Sequence, residues 1–191
     1  MAIKVGINGF GRIGRVVLRI MSEHPEKFDI CGINLRKADL DYMVYLVKYD
    51  SVFRQFNGTV AHDGENLILN GHKIHIFSEA DASQIKWADY GVEYVIESTG
   101  VYTTTEKASA HFVGGAKKVY ACASHGVLSG PALERLANSN IEELALLDTI
   151  PAPVGDDELA KSRIKYLTVA PMFAEAIERT YQEISIAKLF N

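Results

Sequence analysis

The chain has 191 residues, 48% hydrophobic and 23% charged, with a net charge of −4. That length and balance support one domain with a sizeable core, and they exclude a general electrostatic attraction to nucleic acid or to membrane surfaces. Cys31 and Cys122 sit in apolar strand-like runs, so buried free thiols in a reducing compartment are expected rather than a disulfide framework.

The first predicted strand, Ile3-Lys4-Val5-Gly6-Ile7, runs into Gly9-Phe10-Gly11-Arg12-Ile13-Gly14 and then a helix. Ile13, Val16, Val17, Ile20 and Met21 form one face of that helix, with Arg12, Arg15, Arg19 and Glu23 on the other, the stripe of an amphipathic helix. Two glycines let the backbone turn tightly and approach a pyrophosphate, and the third lets helix pack on strand. The free N–H groups and positive dipole end then face the phosphates.

A second buried strand is expected over Phe28 to Asn34, then a short helix over Leu40 to Tyr49 with Tyr42, Met43, Tyr45 and Leu46 apolar. Residues 59–77 form an antiparallel excursion, because Asn70-Gly71 between Leu67-Ile68-Leu69 and Ile74-His75-Ile76 signals a type I′ hairpin. A strand at Tyr94 to Glu97, a helix at Thr105 to Phe112 and a strand at Lys118 to Ser124 follow. Next come a helix begun by Ser129-Gly130-Pro131 and running through Leu136, a strand at Leu144 to Thr149, and a polar acidic loop from Pro151 to Lys161. Ile164 to Val169 is the last strand, and Pro171 opens a helix with Met172, Phe173, Ala176 and Ile177 on one face. Alternating strands and helices imply an α/β fold: a doubly wound, mostly parallel Rossmann-like sheet with helices on both faces. No repeat or linker divides residues 1–191, so one composite domain is expected. No long apolar segment occurs and the N-terminus enters a strand directly, so a soluble, cytosolic setting is expected.

Further segments extend the glycine motif: Tyr42-Met43-Val44-Tyr45 with Lys48-Tyr49-Asp50-Ser51, Ile85-Lys86-Trp87, Glu97-Ser98-Thr99-Gly100-Val101-Tyr102-Thr103-Thr104, and Glu106-Lys107-Ala108 leading to Gly114-Gly115-Ala116-Lys117-Lys118. With them, residues 1–118 resemble the N-terminal, cofactor-binding part of the glyceraldehyde-3-phosphate dehydrogenase family. The resemblance then changes. Ser124-His125-Gly126-Val127-Leu128-Ser129-Gly130-Pro131-Ala132, Asp148-Thr149-Ile150-Pro151, Val169-Ala170-Pro171 running into Ala174-Glu175-Ala176-Ile177, and Lys188-Leu189-Phe190 are similar to the C-terminal end of the ribose-phosphate pyrophosphokinase family. A crossover within Gly115 to Val119 joins two α/β pieces at a shared helix-to-strand passage. Because each parent is cut through its functional architecture, an engineered fusion is expected.

The first resemblance implies a cysteine nucleophile with a histidine base, in a Ser-Cys-Thr-Thr-Asn-type segment that these residues do not contain. Cys122 reads as a small apolar strand residue, His125 as a loop histidine, and Asp148 as a turn-capping group; no catalytic residue and no metal ligand is assigned. The resemblance does imply cofactor contacts: Asn8, Gly9, Phe10, Gly11, Arg12 and Ile13 around the pyrophosphate with Gly14 behind it, Asn34 at the end of the second strand, and Ser98, Thr99, Gly100 and Tyr102 beside the adenosine. Two positions depart from the family pattern. Leu35 stands where an acid binds the ribose hydroxyls, with Arg36 next, and Ala80 replaces a familiar arginine. The cofactor is therefore NAD or NADP with a lean to NADP. Both parent families are oligomeric, and a homo-oligomer, most simply a dimer, is expected.

Overall fold

The computed structural model describes residues 1–50, 54–102, 105–123, 125–139, 141–151, 158–186 and 189. Ser51, Thr103, Thr104, Ser124, Asp156, Asp157, Lys188 and Phe190 lie outside them. Strand β1 (Ile3–Asn8) leads through helix α1 (Arg12–Ser22) to β2 (Phe28–Asn34), and α2 (Leu40–Lys48) follows. Asp39 caps α2 by accepting a hydrogen bond from the Tyr42 N–H at 3.0 Å. A two-stranded antiparallel sheet, β3 (Tyr49–Asp50) with β4 (Arg54–Gln55), stands apart from the main one.

The strands β5 (Val60–His62), β6 (Asn66–Leu69) and β7 (His72–Phe77) form the expected antiparallel run. Asn70 at φ 49° and Gly71 at φ 82° give the β6–β7 turn both left-handed residues that a type I′ geometry requires. β7 also lies parallel to β2, so the hairpin is an edge of the main sheet. After 3₁₀ turns at Ala82–Gln84 and Trp87–Tyr90 come β8 (Tyr94–Glu97), the short helices α3 (Thr105–Ala108) and α4 (Ala110–Val113), and β9 (Lys118–Ala123). Helix α5 (Ala132–Ala137), strand β10 (Ile141–Leu147), helix α6 (Glu158–Arg163), strand β11 (Ile164–Leu167) and helix α7 (Ala170–Tyr181) complete the described elements.

The nine-stranded sheet runs β11-β10-β9-β8-β1-β2-β7-β6-β5, parallel from β11 to β7. From β1 the chain winds outward through β2 to β7, then restarts at β8 on the other side of β1. The order therefore reverses between β1 and β8, where a doubly wound sheet opens a crevice at its carboxyl ends. α1 and α2 close one face over Ile7, Leu18, Ile33, Met43 and Val47, while Phe77, Ile85, Trp87 and Val95 form the core of the other.

Some expected boundaries move. The single helix over 105–112 is two short ones, separated at Ser109. The acidic loop stops sooner than expected, because Glu158 to Arg163 is helical; Glu158 lies in the first turn, where an acid suits the helix dipole. Strand β10 begins at Ile141 rather than Leu144, because Ile141 finds a parallel partner in Val119. Cys31 is half-buried and Cys122 exposed, both as free thiols, so the expectation that both are buried does not hold.

Helix α7 ends in a Schellman arrangement. The Ile184 N–H donates to Arg179 O at 2.9 Å and the Glu183 N–H to Thr180 O at 3.2 Å, with Glu183 left-handed at φ 56°. The helix is locally complete, yet none of its described side chains is buried.

Candidate functional site

The crevice begins where β1 ends. Gly9, at φ 103°, turns the chain, its N–H donating to Asn34 O at 2.8 Å, while the Ser98 N–H donates to Asn8 O at 2.8 Å. The Ser98 hydroxyl reaches the Asn8 and Gly9 carbonyls at 3.0 and 3.1 Å, tying the loop to the end of β8. A Cβ at Gly14 would stand 2.1 Å from the Gly9 carbonyl oxygen, so only glycine lets α1 pack this tightly on the loop. A Cβ at Gly11 would meet nothing within 4 Å. Gly11 is also the N-cap of α1, with no side-chain cap among the described residues and no acid in the first turn. Backbone N–H groups at this end are therefore open to an anion.

Beside this loop lies a hollow of about 320 Å³ lined by Asn8, Gly9, Phe10, Gly11, Asn34, Leu35, Arg36, Glu79, Ser98, Thr99 and Tyr102. A second, of about 650 Å³, shares Ser98, Thr99 and Tyr102 and continues past Ile13 to Cys122, His125, Leu128 and Arg135. The pair forms a cleft over the carboxyl ends of β2, β1, β8 and β9. The expected residues gather here with differing roles. Gly9, Phe10, Gly11, Ser98 and Thr99 line the first hollow, Gly100 lines the second with Ile13, and Gly14 lies behind the loop. Arg12 is exposed at the first turn of α1. Tyr102 walls both hollows, its hydroxyl held by the Ala82 N–H at 2.8 Å.

Asn8 and Asn34 line the hollow, but their side chains are committed to protein partners. Asn34 Nδ2 donates to Asn8 Oδ1 at 2.7 Å, and its own Oδ1 accepts from the Glu79 N–H at 2.9 Å. Asn8 Nδ2 donates to Glu97 Oε2 at 2.6 Å, and His111 Nε2 lies 2.9 Å from the same oxygen. Glu97 Oε1 accepts from the Thr99 N–H at 2.7 Å and from the Thr99 hydroxyl. Burial pushes the Glu97 carboxyl upward, but the bonds from His111, Thr99 and Asn8 outweigh it and hold the group below its ordinary value. This polar chain links the ends of β2, β1 and β8, so the two asparagines hold the cleft in shape. Sequence reading missed it, although one signal was present: an acid, Glu97, closing an otherwise apolar strand.

His125 Nδ1 pairs with Thr149 Oγ1 at 2.7 Å, and Asp148 Oδ1 accepts from the Val169 N–H at 2.8 Å. Although the residue is exposed overall, desolvation of the thiol by the surrounding sheet raises Cys122 above its ordinary range, with the Glu97 charge adding to it, the reverse of an activated nucleophile. No group of three or more histidine, cysteine or acidic side chains among the described residues is placed to hold a metal.

Comparison with known proteins finds two families along the chain. Residues 3–105 match the family described as glyceraldehyde 3-phosphate dehydrogenase, NAD binding domain, and residues 94–191 match the phosphoribosyl synthetase-associated domain. The chain belongs to both families. It is 56% identical over 119 residues to a glyceraldehyde-3-phosphate dehydrogenase of Lentinula edodes, covering 62% of this chain and 35% of that protein. Against the Glossina morsitans morsitans enzyme it is 55% identical over 131 residues, 69% of this chain and 37% of that protein. The chain thus spans about a third of the length of the curated relatives it matches. It is a fusion of an NAD-binding dehydrogenase segment with a phosphoribosyl synthetase-associated segment, and the two matches overlap over residues 94–105, where β8 lies. No helix among the described residues is long and apolar enough to cross a membrane.

Proposed function

We propose that this chain binds an adenine dinucleotide in the cleft and performs no chemistry on it. The observation that carries the reading is the open side of Gly11 at the uncapped start of α1, facing the hollow. The pyrophosphate lies against the α1 N-terminus, the adenosine in the hollow of Leu35, Arg36 and Tyr102, and the nicotinamide end toward Ile13 in the wider one. Leu35 offers no carboxylate to a free 2′-hydroxyl, and Arg36 offers a charge-assisted partner to a 2′-phosphate. NADP is therefore bound at least as well as NAD, although Glu79, lining the same hollow, opposes a phosphate there. His125 is bonded to Thr149 and Cys122 is not activated, so glyceraldehyde-3-phosphate oxidation and phosphoribosyl diphosphate synthesis are both absent.

The reading extends to origin: the abrupt change between two enzyme families across one shared sheet supports an engineered fusion. Calorimetric titration with NAD and NADP tests the binding. The expected affinity is micromolar or weaker, about −8 kcal/mol or less favourable. Binding of neither nucleotide overturns the reading and leaves a purely structural chimera. Turnover that disappears in Cys122→Ala or His125→Ala overturns the non-catalytic part.

A further inference from the structure

A slip of register in β10 turns a carboxylate into an apolar groove. In a regular strand Ile141 and Glu143 share a face. Here the parallel pairing with β9 shifts between them, setting Ile141 against Val119 and Glu143 against Tyr120. Ile141 therefore joins Leu144 toward the wide hollow bordered by α5, while Glu143 and Ala145 point to the opposite face, beside α1. A bulge re-aims a side chain in this way.

The groove on that face holds about 350 Å³, within the range of small-molecule pockets. Ile96 of β8, Tyr120 of β9 and Glu143 of β10 form one row across its floor. The Tyr94 ring stands beside that of Tyr120, centroids 5.9 Å apart, and Val17 and Met21 of α1 form a wall. Glu143 is half-buried and is the one charged side chain among the described lining. Its carboxylate has no hydrogen bond or ion pair among the described residues. Lys118, which precedes Tyr120 on β9, donates to Glu142 instead.

This combination selects one kind of occupant. A neutral or anionic molecule lying in the groove takes Glu143 out of water with nothing to balance its charge, which is costly. An ammonium group balances that charge and gains a cation–π contact against the Tyr120 ring. The floor beyond, at Ile96, Cys122 and Ala145, suits an apolar body. We infer that the groove binds a small organic cation with an aryl or alkyl body, its amine at Glu143 beside Tyr120 and its apolar part along α1. The site lies on the other face of the sheet from the hollow bordered by α5, and it takes a ligand of opposite charge to a dinucleotide.

Calorimetric titration of the full chain with phenylbutylamine, phenylbutanol and phenylbutanoate at neutral pH tests this. The three share an apolar body and differ in charge. The amine is expected to bind at least about fivefold tighter than the alcohol, and the carboxylate most weakly. Glu143→Gln should erase the amine's advantage and leave the alcohol's affinity unchanged. Ala145→Phe, which fills the groove beside Cys122, should abolish binding of both. The emission of Trp87, fully buried in the core of the opposite face, reports that each variant folds. No binding, an amine no tighter than the alcohol, an advantage that survives Glu143→Gln, or binding that persists in folded Ala145→Phe overturns the proposal. Should Ala145→Phe fail to fold, the Glu143→Gln comparison decides alone.

Discussion

The Trp87 indole N–H donates to His111 Nδ1 at 3.2 Å, which leaves Nε2 of that ring to donate to Glu97 Oε2 at 2.9 Å. Trp87 and His111 are fully buried and Glu97 nearly so. A tryptophan in the 3₁₀ turn before β8 thus sets the orientation of a histidine on α4, which holds the carboxylate at the end of β8. Through Asn8 and Asn34 that carboxylate steadies the whole cleft.

Removing the middle of this chain should be costly. His111→Ala strands the indole N–H and takes a bond from a buried carboxylate, so a loss of about 3 kcal/mol is expected. Urea unfolding followed by the emission of Trp87, the chain's one tryptophan, measures it. The loss of Trp87 packing against the His111 ring enters the same figure.

The Glu97 carboxyl also makes stability depend on pH. Its folded value lies below an ordinary value of 4.5, so its contribution is complete above that pH and is lost as pH falls through the folded value. Glu97→Gln is expected to be less stable at neutral pH and to show a flatter acid limb. Denaturation midpoints collected from neutral to acid pH check this; an unchanged acid limb contradicts it.

The two helix-start glycines should respond oppositely to the same change. Gly14→Ala forces a methyl against the Gly9 carbonyl and is expected to cost about 1–3 kcal/mol. Gly11→Ala meets open space and should leave stability within about 0.5 kcal/mol, while weakening dinucleotide binding more than tenfold by occupying the pyrophosphate's place. Thermal unfolding and calorimetry on both variants separate these effects.

Cofactor choice turns on Arg36 and Glu79. Arg36→Ala is expected to lower NADP affinity about tenfold, roughly 1.4 kcal/mol, and leave NAD unchanged. Glu79→Ala is expected to raise NADP affinity. Equal NAD and NADP affinities that ignore Arg36→Ala contradict the role given to that arginine.

Thiol chemistry should be slow at Cys31. Burial, the Asp29 charge and a bond to Asp29 raise its thiol to about 11, so at pH 8 only about one molecule in a thousand carries the thiolate. Titration with an aromatic disulfide should find Cys31 unreacted until the chain is unfolded. Prompt reaction of Cys31 in the folded chain contradicts this.

Much of the architecture could be read from the sequence because its signals are local. Alternation by strands and helices, the Asn70-Gly71 turn and the Gly9 to Gly14 loop each act within a few residues, and each stands where it was expected. The dehydrogenase-like segments placed Ser98, Thr99 and Tyr102 at the crevice for the same reason: a strand end and its following turn travel together.

Relations between distant segments were decided only by the folded chain. Glu97 and His111 lie 14 residues apart and Asn8 lies 89 from Glu97; neither spacing betrays a bond, because hydrogen bonding between strand ends depends on which strands become neighbours. The opposing charge of Glu79 beside Arg36 arises in the same way, from β7 lying next to β2. The stripe on α7 is legible as a periodicity, and periodicity states that a face seeks burial without naming its partner. Which strands α1 and α2 cover was likewise decided by the direction of the crossovers rather than by any local signal.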